Sequence, residues 1–187
     1  MKTIERAKNM LMTPKTEWDV VSEENSGHIK LLTGYLIPLA LIPAIASFIG
    51  YGLIGYNVVG LHDGSVGIGI QQAAVSFISA VGSVYLSAWV ISFLADKFES
   101  LKNFEKAFEL VVYSYTPMCV ASILMIYTPL ALLAAILAVL YALYLLYLGL
   151  SPMLQTPAEK KITFFLVSLL AVALVSVILS VVLDWMA

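Results

Sequence analysis

The stretch FELVVYSYTPMCVASILMIY, residues 108–127, is followed after Thr128 by PLALLAAILAVLYALYLLYLGL, residues 129–150. Read as one helix, these 43 residues would extend about 60 Å, twice the roughly 30 Å hydrocarbon core of a bilayer. Pro129 divides them. Proline disfavours helix at the residue before it and suits the first turn of a new one. The stretch therefore predicts two membrane spans joined by a tight hairpin at Tyr127 and Thr128.

Working outward, residues 31–56, 68–95 and 162–183 each supply the run of mainly apolar residues that a crossing needs. All five runs are apolar on every side, whereas barrel strands would alternate, so they read as helices. The expected fold is an all-α, polytopic membrane bundle of five transmembrane helices, residues 31–187, preceded by an amphipathic segment, residues 1–30. Composition agrees: 61% of the chain is apolar, 12% is charged and the mean hydropathy is +0.95. So little polar material cannot cover a water-facing surface, which excludes a disordered chain and a nucleic-acid binder.

The basic residues test the count. Lys2, Arg6, Lys8, Lys15 and Lys30 precede the first span, Lys97, Lys102 and Lys106 separate the second from the third, and Lys160 and Lys161 separate the fourth from the fifth. With five spans every one falls on the same side, and the positive-inside rule puts the N-terminus in the cytoplasm and the C-terminus outside. In the N-terminal segment Ile4, Leu11 and Trp18 recur at helical intervals and are expected to anchor it on the bilayer surface. Glu5, Glu17, Asp19, Glu23 and Glu24 balance its cations, so little preference for anionic lipid is expected.

Several pieces carry a family pattern: RAKNMLMTPKTEW at 6–18, GYLIPLALIPAIASFIG at 34–50, FEKAFELVVYSYTP at 104–117, YALYLLYLGL at 141–150 and TPAEKK at 156–161. Together they resemble the bacterial branch of the Yip family, the Ypt/Rab-interacting membrane proteins, over about residues 3–180. The resemblance implies a five-span bundle with a cytoplasmic N-terminus, located in a bacterial inner membrane. Binding of a Rab-type GTPase is not carried over, because the long N-terminal region and the Asp-Leu-Tyr-Gly-Pro-like signature of the eukaryotic relatives are missing from this sequence.

Polar groups inside a span are costly and tend to face the bundle interior. Tyr113, Tyr115, Thr116 and Pro117 lie near the start of the third span, and Tyr141, Tyr144 and Tyr147 form a stripe on the fourth. Equal depth pairs Tyr113 with Tyr144, as packing glue or as the lining of a solute path. Asp96, Glu105 and Glu109 border this region, with Glu109 expected as a solvated helix cap. Pro38 and Pro43 predict a kink in the first span, and the alanines at 131, 135, 138 and 142 a close-packing stripe on the fourth.

Chemistry has few footholds. Cys119 is the single cysteine, and His28 and His62 fall on opposite sides of the expected topology, so neither a metal site nor a cofactor is predicted. No span holds a histidine to serve a serine nucleophile, no pair of aspartates lies in a span, and no phosphate-binding loop is present. The expectation is a non-catalytic protein working through helix or lipid contacts, in a membrane-organising or adaptor role, with lipids, other membrane proteins or further copies as partners. The alternative is a small transporter or permeation pathway for an uncharged or weakly polar solute.

Overall fold

Proline placement shapes the first half of the chain. The computed structural model describes residues 3–24, 27–58, 61–63, 65–124 and 128–186. Two short helices come first: α1, Thr3–Met12, and α2, Pro14–Glu23, whose Pro14 occupies the first turn, where its missing N–H costs nothing. A continuous apolar helical run, His28–Ile54, follows. It comprises α3, His28–Leu31, and α4, Ile37–Ser47, with wider π-type turns at Leu32–Leu36 and Phe48–Ile54. Pro38 has no N–H to give the carbonyl of Gly34, and the helix widens just before it rather than breaking. The Gly34 carbonyl accepts the Thr3 hydroxyl at 2.5 Å instead.

Beyond this run, β1, Tyr56–Val58, pairs antiparallel with β2, Leu61–Asp63, in the register Tyr56 to Asp63 and Val58 to Leu61. Among the described residues this is the one strand pairing, and the rest of the regular structure is helical as the all-α reading expects. Ser65 caps α5, Val66–Ala95, by accepting the Ile68 N–H at 3.2 Å. A single 3-10 turn, Asp96–Phe98, leads to Glu99 in the left-handed region, φ 54°. Asn103 then caps α6, Phe104–Ser114.

The expected third span, residues 108–127, differs in detail. Its helix begins a turn earlier, at Phe104, and is interrupted at Tyr115 before α7, Thr116–Ala121. Pro117 explains the interruption: lacking an N–H, it cannot continue the ladder, and the Met118 and Cys119 N–H groups both turn to the Tyr115 carbonyl at 3.1 and 3.3 Å. The hairpin expected at Tyr127 falls mostly outside the described residues. The chain resumes as α8, Thr128–Leu154, and ends with α9, Ala158–Met186. Among the described residues, three helical runs are long and apolar enough to cross a membrane: His28–Ile54, Val66–Phe98 and Ala131–Leu154.

Close approach decides two seams. A Cβ on Gly69 would lie 2.7 Å from the Cα of Gly52, so the start of α5 touches the preceding run backbone to backbone. A Cβ on Gly149 of α8 would lie 2.5 Å from Leu110 of α6 and 2.8 Å from the Trp18 ring. Of the α8 alanines, Ala134 and Ala138 are buried and Ala131, Ala135 and Ala142 half-buried, so the expected stripe at 131, 135, 138 and 142 is shifted in part onto a neighbouring face. The lysine-rich turns converge at one end. Leu101 N–H donates to the Leu154 carbonyl at 2.7 Å, Ser100 to the Thr156 hydroxyl at 3.0 Å, and Lys160 reaches Glu99 at 2.5 Å. Leu132, Leu170, Leu174 and Trp89 stay exposed on the flanks.

Candidate functional site

At that same end α1 and α2 form a hairpin around a buried cation. Arg6, 4% exposed, donates through one terminal nitrogen to Glu17 at 2.6 Å and through the other to both Glu24 oxygens, each at 2.6 Å. Asn9 donates to the second Glu17 oxygen at 3.1 Å. A planar guanidinium suits this forked arrangement, where a lysine could serve only as a point charge. Burial by itself disfavours the charge on Arg6, but the hydrogen bond to Glu24 and the negative field of Glu24 and Glu17 outweigh it and hold its pKa above the ordinary value.

The hairpin is docked on the bundle from below. The Arg6 guanidinium carbon lies 5.8 Å from the centre of the Tyr113 ring, within cation–π range. Trp18 and Tyr35 both meet that ring edge-on, with centroids 6.2 and 4.9 Å away. The Tyr35 hydroxyl is 2.9 Å from Thr116 Oγ1, and both residues are buried. Lys106 of α6 closes the far end by donating to the carbonyls of Ser22 and Glu24 at 2.9 and 2.7 Å, at the C-terminus of α2 where a cation is favoured. Its ammonium also lies 3.3 Å from Glu109.

The expected tyrosine cluster is thus divided. Tyr113 and Thr116 face α2 and the first apolar helix, through Trp18 and Tyr35. Tyr144 is 42% exposed and stacks on Tyr141 at 5.7 Å, so the expected pairing of Tyr113 with Tyr144 is replaced by these separate partners. A helix rotates 100° per residue, and equal depth did not fix which way each ring pointed. Tyr141 donates to the Leu11 carbonyl at 2.7 Å, and Tyr147 packs on Phe165 at 5.4 Å with the Lys161 ammonium 4.5 Å above its ring. Tyr115 lines a cavity of about 140 Å³ with Ser83, Ser87 and Ser114. Pro117 lines a separate apolar groove of about 570 Å³ between α7 and α8.

Of the rim carboxylates, Asp96 is exposed and Glu105 meets His28 Nδ1 at 3.2 Å. Glu109 is 2% exposed rather than a solvated cap, with the Lys106 ammonium 3.3 Å from its carboxylate. Trp18, expected in the membrane surface, is 1% exposed and lies over Gly149. Ile4 is 84% exposed and Leu11 partly so. Arg6, Glu17, Glu24, Lys106 and Tyr35 were not singled out from sequence. The signal was present only as the equal numbers of acidic and basic residues in the N-terminal segment, which is what an internally paired hairpin requires. Among the described residues no group of three or more His, Cys, Asp or Glu gathers as a metal site.

A family model described as the Yip1 domain matches residues 8–180. The chain belongs to the Yip1 family. Within this Yip1 domain lie α2, the tyrosine cluster and the apolar helices as far as residue 180 of α9, so the protein is a membrane protein of that family. Neither a curated protein nor a solved structure matches it.

Proposed function

We propose that this Yip1-family chain is a non-catalytic membrane protein that works through helix and lipid contacts, as a membrane-organising or adaptor protein. The observation that carries the reading is the use made of its polar groups. Arg6, Glu17 and Glu24 close the N-terminal hairpin on itself, Lys106 and Tyr141 bind it to the bundle, and Tyr35 and Thr116 join the first apolar helix to α7, leaving a fitted cap rather than an array of reactive groups. Such a cap presents a rigid surface, and the flanks present apolar side chains to lipid. In this reading the chain crosses a bacterial inner membrane five times, with α6 and α7 together as the third crossing and α9 as the fifth. The cap lies in the cytoplasm and the C-terminus outside, because every lysine and arginine then shares one side.

Affinity purification from native membranes, with identification of the proteins and lipids retained, tests this. A defined partner protein or lipid set, lost when the cap is deleted, is the expected result. The second reading, passage of a small weakly polar solute, is favoured by the serine-lined cavity beside Tyr115. Solute flux in liposomes that is abolished by filling that cavity would replace the first reading with the second.

A further inference from the structure

We propose that the groove between α7 and α8 holds one acyl chain of a bilayer phospholipid, with its phosphodiester headgroup beside Lys8; this rests on the lipid-contact reading above. Val120 and Leu124 form one wall of the groove, Ala134 and Ala138 the other, and Leu11 and Tyr141 its end, enclosing about 570 Å³. The two alanines hollow the α8 wall. From Ala134 to Tyr141 the wall rises about 10 Å at 1.5 Å per residue, the length of a substantial part of an acyl chain. Its chemistry selects such a chain. The Tyr141 hydroxyl is already donated to the Leu11 carbonyl at 2.7 Å, so the polar group at the end of the groove has its partner and the rest of the lining is apolar.

The headgroup position follows from the register of α1. At 100° per residue, Ala7, Leu11, Ile4, Lys8 and Met12 fall in that order around about 140° of the helix. Ile4 and Met12 on this face are 84% and 70% exposed, and Lys8 is exposed between them. This apolar face carries one cation, Lys8, with the exposed Glu5 at its border about 20° beyond Met12, and it suits the level of lipid headgroups, where lysine extends its ammonium toward phosphate. Leu11 belongs to this face and also ends the groove. A chain in the groove therefore emerges beside Lys8. Glu17 and Glu24 are turned inward to Arg6, which leaves Glu5 as the exposed carboxylate of α1 beside this face.

Native mass spectrometry of the detergent-solubilised full chain, titrated with palmitoyl-oleoyl phosphatidylglycerol, phosphatidylcholine or the matching diacylglycerol, tests this. Both phospholipids share the phosphodiester and are expected to leave one molecule bound; diacylglycerol is expected to be lost. Ala121→Phe on α7 and Leu137→Trp on α8, at groove-lining positions that are not buried, should each remove the bound phospholipid at unchanged melting temperature. Ala142→Phe, in the cavity beside Tyr115, should retain it and serves as the control. One lysine near lipid phosphate contributes about 1 kcal/mol, so Lys8→Gln should weaken retention about fivefold. Retention at wild-type level by both groove-filled variants, or of diacylglycerol as well as phospholipid, overturns the proposal. Solute flux would sink the scaffold reading and leave this occupancy standing.

Discussion

Replacing Arg6 with alanine is expected to release the N-terminal hairpin from the bundle. The change leaves Glu17, with a side chain 7% exposed, facing only the Asn9 amide at 3.1 Å, while Glu24, 39% exposed, can turn to water. Removing one member of a buried ion pair costs about 3–5 kcal/mol, because an uncompensated charge stays in a medium of low dielectric. The exposed Glu24 arm adds at most about 1 kcal/mol. Helices of ten residues are marginal on their own, so α1 and α2 have little reserve against such a loss once their docking contacts weaken. Trp18 reports the event, since it is 1% exposed when docked and the other tryptophans can be replaced by Trp89→Phe and Trp185→Phe. Arg6→Ala should shift Trp18 emission to the red, admit acrylamide and expose the segment to protease. Removing both charges, as Arg6→Met with Glu17→Leu, should restore most of the docking, because two apolar groups of similar size require no partner. Emission unchanged in Arg6→Ala, or a double variant as undocked as the single one, would refute the reasoning.

The raised pKa of Arg6 means that its contribution is fully present below the unfolded-state value and is lost only as pH rises through the folded one, so Trp18 emission should be flat from about pH 7 to 10. Gly149→Ala places a methyl 2.5 Å from Leu110 and 2.8 Å from Trp18, and should cost about 1–3 kcal/mol in thermal unfolding together with a change in Trp18 emission. Tyr35→Phe leaves Thr116 Oγ1 without its partner at 2.9 Å; the loss should be about 0.6 kcal/mol and at most near 1.7, and a double-mutant cycle with Thr116→Val should show coupling. The cycle between Tyr113→Phe and Tyr144→Phe should be additive, since their rings have different neighbours. His28→Ala removes a polar contact to Glu105 that is exposed at both ends, 38% and 48%, and should change stability by less than about 1 kcal/mol.

Much of the architecture was legible because the bilayer imposes it. A run long and apolar enough to cross has little alternative to helix, and the described helices begin and end within a turn or so of the first two and the last two apolar runs read from sequence. Pro117 was visible in the sequence, and its effect on the third span was not, because whether a proline widens a helix, as at Pro38, or interrupts it, as after Tyr115, depends on what can take the stranded backbone groups. The β ribbon is too short to stand out by periodicity.

By itself, then, the sequence determined that this is an apolar membrane bundle of the Yip type, because hydropathy, proline spacing and lysine placement are properties that each residue carries wherever it is packed. Only the tertiary structure decided what the polar residues do. Trp18 and Glu109 read as surface groups because nothing local says that two short helices will fold back over α6 and α8. Arg6 joins Glu17 and Glu24 across a turn, and Tyr35 meets Thr116 across 81 residues of chain. Such pairings are set by which helix faces come together, and that depends on side-chain volumes at seams such as Gly149 against Trp18, where a single methyl group would change the outcome.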